Sequence, residues 1–158
     1  MEEYLSYQPE PYELLIDSQT VKEKAFLVAC GNASQYGNNA FIAPHANIQD
    51  GKMDITILSP FGPLDIAPLA IQLFTKQIDR NSKIKTFKGK EVTIIRQNPG
   101  VMHLDGEPIM ADSRIEISVL PKSLNVLTPE TVSFTEEVQN LFGEVTRFFD
   151  KKLPYIFR

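Results

Sequence analysis

Val101-Met102-His103-Leu104-Asp105-Gly106-Glu107-Pro108 is an apolar run, an Asp-Gly pair, a second carboxylate and a proline. Asp-Gly is a strong hairpin signal, because both central residues of a type I′ turn need positive φ and these two residue types tolerate it. The stretch therefore predicts two antiparallel strands joined at Asp105-Gly106. A second reading coexists with the first. Asp105 and Glu107 flank one glycine at a strand end, where a carboxylate pair can take a proton or face a metal-bound phosphate. Turn chemistry alone favours the bare hairpin, so the surrounding sequence has to decide.

Working outward, residues 114–120 alternate Ile115, Ile117 and Val119 against Arg114, Glu116 and Ser118, the pattern of a half-buried strand. A short strand is expected over 124–127, between Pro121 and Pro129. Upstream, 84–87 and 91–96 flank Lys88-Gly89-Lys90 and read as a hairpin, with Lys83, Lys85, Lys88 and Lys90 on a solvated face. Residues 53–58 alternate Met53, Ile55 and Ile57 against Asp54 and Thr56, just after a second Asp-Gly signal at Asp50-Gly51. Strands are expected at 12–17 and 24–30. The unbroken apolar run 25–30 predicts burial on both faces and a central place in a sheet for the second. Turn formers fill 31–39, and a short strand over 40–43 should end at Pro44.

Two helices are expected. One covers 65–78, with Asp65 as cap, Pro68 in the first turn and Ala67, Ala70, Ile71, Phe74 and Ile78 as the packed stripe. The other covers 133–152, opened by a capping box from Ser133 to Glu136 and carrying Phe134, Val138, Leu141, Phe142, Val145, Phe148 and Phe149 on one face. Its polar face is acidic, which suits a protein surface better than an anionic membrane. Strands do not alternate with helices, so a doubly wound parallel sheet is excluded. The fold expected is mainly β with helices at its margins, an antiparallel β-sandwich-like domain over 1–129 and a helical extension over 130–158.

The 158 residues suffice for one domain with a real core. A net charge of −4 argues against a nucleic-acid partner, which needs a basic stripe. One cysteine, Cys30, excludes an internal disulfide and reads as a small buried hydrophobe. With two histidines besides, no zinc-type cluster is available. No signal peptide and no run of about 18 apolar residues appears, and a cytoplasmic place is expected. Glu2-Glu3-Tyr4-Leu5 reads as the last turn of a helix broken by Pro9 and Pro11, as though the chain were a piece of something longer. There is no P-loop and no glycine-rich phosphate cradle before a helix, so a self-contained phosphotransferase is not supported.

Several polar stretches, each weak alone, form a specific ordered set. They are Gly31-Asn32-Ala33-Ser34-Gln35-Tyr36-Gly37, Ile42-Ala43-Pro44-His45-Ala46, Gln49-Asp50-Gly51-Lys52-Met53-Asp54 and Leu104-Asp105-Gly106-Glu107-Pro108, followed by Leu120-Pro121, Leu124-Asn125-Val126 and Pro129. With these gaps the chain resembles the C-terminal part of the bacterial diacylglycerol kinase and sphingosine kinase-like lipid kinase family. The resemblance implies a β-sandwich that supplies the acceptor side of an active site. The opposite side would be an N-terminal domain carrying a Gly-Gly-Asp-Gly nucleotide motif, which is not in this sequence. It implies transfer of the γ-phosphoryl of ATP, with Mg²⁺, to a lipid hydroxyl of the diacylglycerol or sphingoid kind.

The same resemblance implies roles for particular residues. Asp105 would be the proton acceptor, with Glu107 beside it as the nucleotide-facing carboxylate. Asp50, with the carbonyls of Asn47 and Lys52, would hold a structural or regulatory Mg²⁺; hard oxygen donors suit that ion. Peripheral contact at the inner membrane face follows from a lipid substrate. The isolated chain should be inactive as a kinase, and an incomplete sandwich should self-associate or be covered by the 133–152 helix. Two departures stand out: Asn38-Asn39 replaces a glycine pair, and Lys52 replaces an apolar residue beside the metal position. The competing reading is a non-catalytic lipid- or protein-binding β-sandwich module. A fragment of a NAD kinase-like phosphotransferase is a third, which the Pro44 and Asp50 stretches fit less well.

Overall fold

The structure is a computed structural model that describes residues 8–127. The helix end expected at 2–5 and the helix expected over 133–152 lie outside the described residues. The chain divides into two compact units, one ending at Pro121 and one beginning at Lys122. In the second, residues 122–127 pair with no strand and carry none, so the strand expected over 124–127 does not form.

In the first unit, strands β1 (Glu10–Ile16), β2 (Gln19–Ala25), β3 (Leu27–Gly31) and β4 (Met53–Leu58) are followed by helix α1 (Ile66–Phe74). Strands β5 (Ile84–Gly89), β6 (Glu91–Arg96), β7 (Gly100–Leu104), β8 (Glu107–Ala111) and β9 (Arg114–Ser118) complete the order. Every pairing is antiparallel. One sheet runs β2-β1-β6-β9, a second β3-β4-β5, and β7-β8 stands as a separate hairpin. Period-2 alternation sets the faces of the first sheet. Val21, Leu14, Ile94 and Ile115 lie in one cross-strand row, and Ile16, Val92 and Ile117 in the next. These rows pack on Met53, Ile55 and Ile57 of β4 to form the main core of the sandwich. Cys30 packs against this core, and burial pushes its thiol up to about 12.

Two expected strand units divide between the sheets. The segment 24–30, with its apolar run 25–30, is not one central strand. The chain leaves the first sheet at Ala25 and joins the second at Leu27, with the Phe26 N–H on the Leu58 carbonyl and the Phe26 ring edge-on to Phe61. Both β2 and β3 are edge strands, and the run is apolar because it passes along the core from one sheet to the other. Residues 84–96 are likewise no hairpin: β5 belongs to the second sheet and β6 to the first.

The corner between β5 and β6 is close-packed. A Cβ on Gly89 would lie 2.6 Å from Ile16 Cγ2, so only glycine fits without displacement. Asp17, left-handed at φ 49, accepts the N–H groups of Lys90 and Glu91 at 2.9 and 3.0 Å. Its own N–H donates to the Glu91 carbonyl. These bonds from Glu91 and Lys90 hold the Asp17 carboxyl below its ordinary 3.8.

The central strand of the second sheet is β4, buried on both faces, with Asp54 8% and Thr56 2% exposed. Its alternation therefore does not mark a solvent face. A third layer covers it. Thr56 Oγ1 donates to the Ile42 carbonyl at 2.8 Å, and the Phe41 N–H donates to the Leu73 carbonyl. Residues 40–43 accordingly form an irregular cover in place of the expected strand, with a single bridge between Gly37 and Ala40. Asn38 and Asn39 both take positive φ, 44 and 63, the conformation a glycine pair would also supply in this tight turn. Helix α1 is shorter than the 65–78 expected. Thr75 caps it, Lys76 turns left-handed, and Ile78 belongs to a separate 3₁₀ turn. It packs through Leu69 and Leu73, while Ile71 and Phe74 are 64% and 57% exposed, so most of the expected stripe faces outward.

Two measurements check the corner. Gly89→Ala should lower stability by about 1–3 kcal/mol in chemical denaturation, because the new Cβ overpacks Ile16. Because the folded Asp17 carboxyl titrates below its unfolded value, its contribution is present above pH 3.8 and is lost as pH falls through the lowered folded value. Asp17→Asn should therefore be less stable than wild type at neutral pH, with the gap closing in acid. A gap independent of pH would contradict this.

Candidate active site

Asp105 and Glu107 sit at the tip of the β7–β8 hairpin. The two-residue turn forms as its sequence requires, with φ of 49 at Asp105 and 94 at Gly106. His103 Nδ1 lies 3.3 Å from the Gly106 carbonyl oxygen and steadies the turn. Asp105 and Glu107 are both exposed, and among the described residues neither carboxylate has a hydrogen-bond or ion-pair partner. A carboxylate so placed is free to accept a proton from a group brought to it.

The hairpin is held at its base by a residue that sequence reasoning missed. Arg96, the last residue of β6, donates from Nη2 to the carbonyls of Gly100 and Ala111 at 2.7 and 2.6 Å. Its Nε reaches the Asp112 carbonyl at 3.2 Å, and Nη1 lies 3.5 Å from that of Val101. The rigid, five-donor guanidinium can bond both feet of the ribbon at once. The signal available in the sequence was an arginine four residues before a glycine that opens a strand, which is too common to notice.

Asn47, Asp50 and Lys52 lie together in the loop before β4. Asn47 Oδ1 accepts the Gln49 N–H, the Asn47 carbonyl accepts the Asp50 N–H, and Asp50 Oδ1 accepts the Lys52 N–H at 2.8 Å. The second oxygen of Asp50 is 3.3 Å from Lys88 Nζ. That bonding and the neighbouring charge lower the Asp50 carboxyl from its ordinary value, the Lys52 N–H contributing most. Both carboxylate oxygens are thus engaged by protein donors, and as arranged the loop does not fit a divalent ion. Among the described residues no group of three or more His, Cys, Asp or Glu side chains is set to hold a metal.

Three of the four lysines expected on a solvated hairpin face are instead paired. Lys85 bonds Glu23, Lys83 lies 3.8 Å from Asp65, and Lys88 reaches Asp50 and Asp54. Beside Lys88 a cavity of about 200 Å³ is lined by Pro44, His45, Thr56, Asp79 and Thr86. His45 Nε2 lies 3.2 Å from Asp79 Oδ2, so this histidine is committed to a neighbouring carboxylate.

The chain belongs to the YegS C-terminal NAD kinase beta sandwich-like domain family, whose model matches residues 1–128. It is 28% identical over 127 residues to a diacylglycerol kinase of Mycobacterium tuberculosis, a match covering 77% of this chain and 39% of that one. It is also 28% identical over 125 residues to a Shewanella frigidimarina protein named "probable lipid kinase YegS-like", covering 79% of this chain and 40% of the relative. A solved diacylglycerol kinase from Bacillus anthracis shares the fold with a TM-score of 0.57 at 22% identity, over 75% of this chain and 42% of that one. The chain thus spans about 40% of the length of these relatives. Among the described residues no helix is long and apolar enough to cross a membrane.

Arg96→Ala should free the hairpin without unfolding the sandwich. Amide exchange over 100–111 should quicken by about tenfold, the equivalent of one charge-assisted hydrogen bond, while β1 and β4 stay protected. Equal loss of protection throughout would show instead that Arg96 supports the whole fold.

Proposed function

We propose that this chain is the acceptor-side domain of an ATP-dependent lipid kinase that phosphorylates a lipid hydroxyl, of the diacylglycerol or sphingoid kind. The observation that carries the reading is the Asp105-Gly106-Glu107 tip: two unpartnered carboxylates on a tight turn, clamped from below by Arg96. Its support is the family membership and the kinase relatives. In this reading Asp105 takes the proton of the lipid hydroxyl as the hydroxyl oxygen attacks the γ-phosphorus of ATP, the bond from that phosphorus to the β,γ-bridging oxygen breaks and ADP leaves, and Glu107 faces the nucleotide. Mg²⁺ would accompany the ATP phosphates and offset their charge. Phosphoryl transfer rests on positioning and charge neutralisation around those phosphates. The groups that do this belong to a nucleotide-binding domain, so the isolated chain is inactive.

The outward face of α1, with Ile71 64% and Phe74 57% exposed, and Leu64 just before the helix, 93% exposed, suit contact with the membrane in which such a substrate resides. No charged residue interrupts α1 itself. This face belongs to the same reading, as the side from which a lipid would be drawn.

The test is a panel of diacylglycerol, sphingoid base, phosphatidylglycerol and a long-chain prenol, offered with ATP and Mg²⁺ to a protein that joins this domain to its nucleotide-binding domain. One lipid should be phosphorylated, and Asp105→Asn should lower kcat by about 10²–10⁴-fold, the range of a general base. The 158-residue chain alone should transfer nothing. Full activity in Asp105→Asn removes Asp105 as the base, and activity of the lone chain overturns the division of labour.

A further inference from the structure

The loop that resembles a divalent-ion site already contains a cation of the chain's own. Lys88 rises from β5 directly across the ladder from Asp54 of β4, so the sheet register fixes where its side chain starts. Its ammonium lies 3.0 Å from the His45 carbonyl oxygen, 3.3 Å from Asp50 Oδ2 and 3.3 Å from Asp54 Oδ2. Of the ammonium's three donors, two meet the His45 carbonyl and Asp50 as hydrogen bonds, and the third acceptor, Asp54 Oδ2, is held at ion-pair distance. Those acceptors come from the start of the loop, from its end and from the central strand. One group therefore ties the whole 45–52 segment to the sheet.

Asp54 makes this tie hard to replace. The residue is 8% exposed, and its Oδ2 is closed to solvent. Lys88 is the only cation within ion-pair distance of it among the described residues. A divalent ion at Asp50 would stand beside the ammonium and repel it. If it displaced Lys88, it would leave Asp54 as a buried charge without a counterion, which is strongly unfavourable. The charges are also already balanced, with Asp50 and Asp54 against Lys88 and the adjoining Lys52. The pKa of Lys88 moves with this geometry: desolvation pulls it down, but Asp54 and Asp50 outweigh that and raise it.

We propose that Lys88 is the resident cation of this loop, standing where a divalent ion would otherwise gather Asp50 and the neighbouring carbonyl groups, so that the 45–52 segment folds without metal. Lys52 then has no metal to disfavour, and its backbone N–H serves Asp50 instead. The inference does not depend on the kinase reading, since it concerns only how this loop is held.

Thermal melts of the 158-residue chain by circular dichroism test it, in EDTA and in millimolar Mg²⁺ or Ca²⁺. The wild-type midpoint should be the same in all three, and calorimetric titration with either ion should give no heat. Lys88→Met should melt several degrees lower in EDTA and recover on adding either ion, because the loop acceptors then have no cation. If Lys88→Met does not fold in EDTA, Lys88→Met with Asp54→Asn should, since the buried charge is gone. A wild-type midpoint that rises by several degrees with Mg²⁺, and no longer does so in Asp50→Asn, overturns the proposal. A Lys88→Met chain as stable in EDTA as wild type overturns it equally.

Discussion

The sandwich depends on a corner where the chain changes sheets. Between β5 and β6 it has one residue, Lys90, in which to leave the second sheet and enter the first. That is possible because Gly89 lets the backbone lie against Ile16, and because Asp17 receives the two amides that the corner takes out of any ladder. Buried or crowded backbone donors must find partners. One carboxylate, fixed by a left-handed turn between β1 and β2, supplies them here. The β1–β2 turn and the β5–β6 corner thus lock each other, and the facing rows of Leu14, Ile16, Val92 and Ile94 follow in register.

From that corner the polar features take their places. In one direction β5 runs back through Lys88, whose position opposite Asp54 lets a single ammonium bind the 45–52 loop to the central strand. In the other, β6 runs out to Arg96, whose guanidinium grips both feet of the β7–β8 hairpin. The two cations do different work. Lys88 neutralises charge in a covered place, whereas Arg96 sets the direction of an exposed ribbon through backbone carbonyls. The chemistry proposed for Asp105 and Glu107 needs the second of these, because a proton acceptor on a loose ribbon would sample too many positions to meet a hydroxyl.

What could be read in the sequence was local, and what could not was relational. Asp105-Gly106 announced its hairpin because the φ requirement sits within two residues. Residues 114–118 announced a strand because one face is buried and the other wet. Lys88-Gly89-Lys90 gave the same kind of signal as a hairpin, yet the glycine answers to Ile16, more than 70 residues away, as Asp17 answers to Lys90. The run 24–30 looked like one central strand because passage along a core is as apolar as a strand within it. The α1 stripe misled for a related reason: its more exposed face is also its more hydrophobic one. The membership of the family was legible only from the ordered set of loop motifs. Neither Arg96 nor Lys88 belonged to those motifs, because their roles exist only after the sheets have paired.

In the proposed function the Asp105-Gly106-Glu107 tip meets a nucleotide carried by another domain. Hydrogen exchange read by mass spectrometry tests it most directly, on a protein joining both domains, with and without a non-hydrolysable ATP analogue and Mg²⁺. Exchange at residues 104–108 should slow when the nucleotide is bound, with β1, β4 and β6 unchanged. Protection confined to the nucleotide-binding domain, with 104–108 exchanging as freely as before, would contradict it.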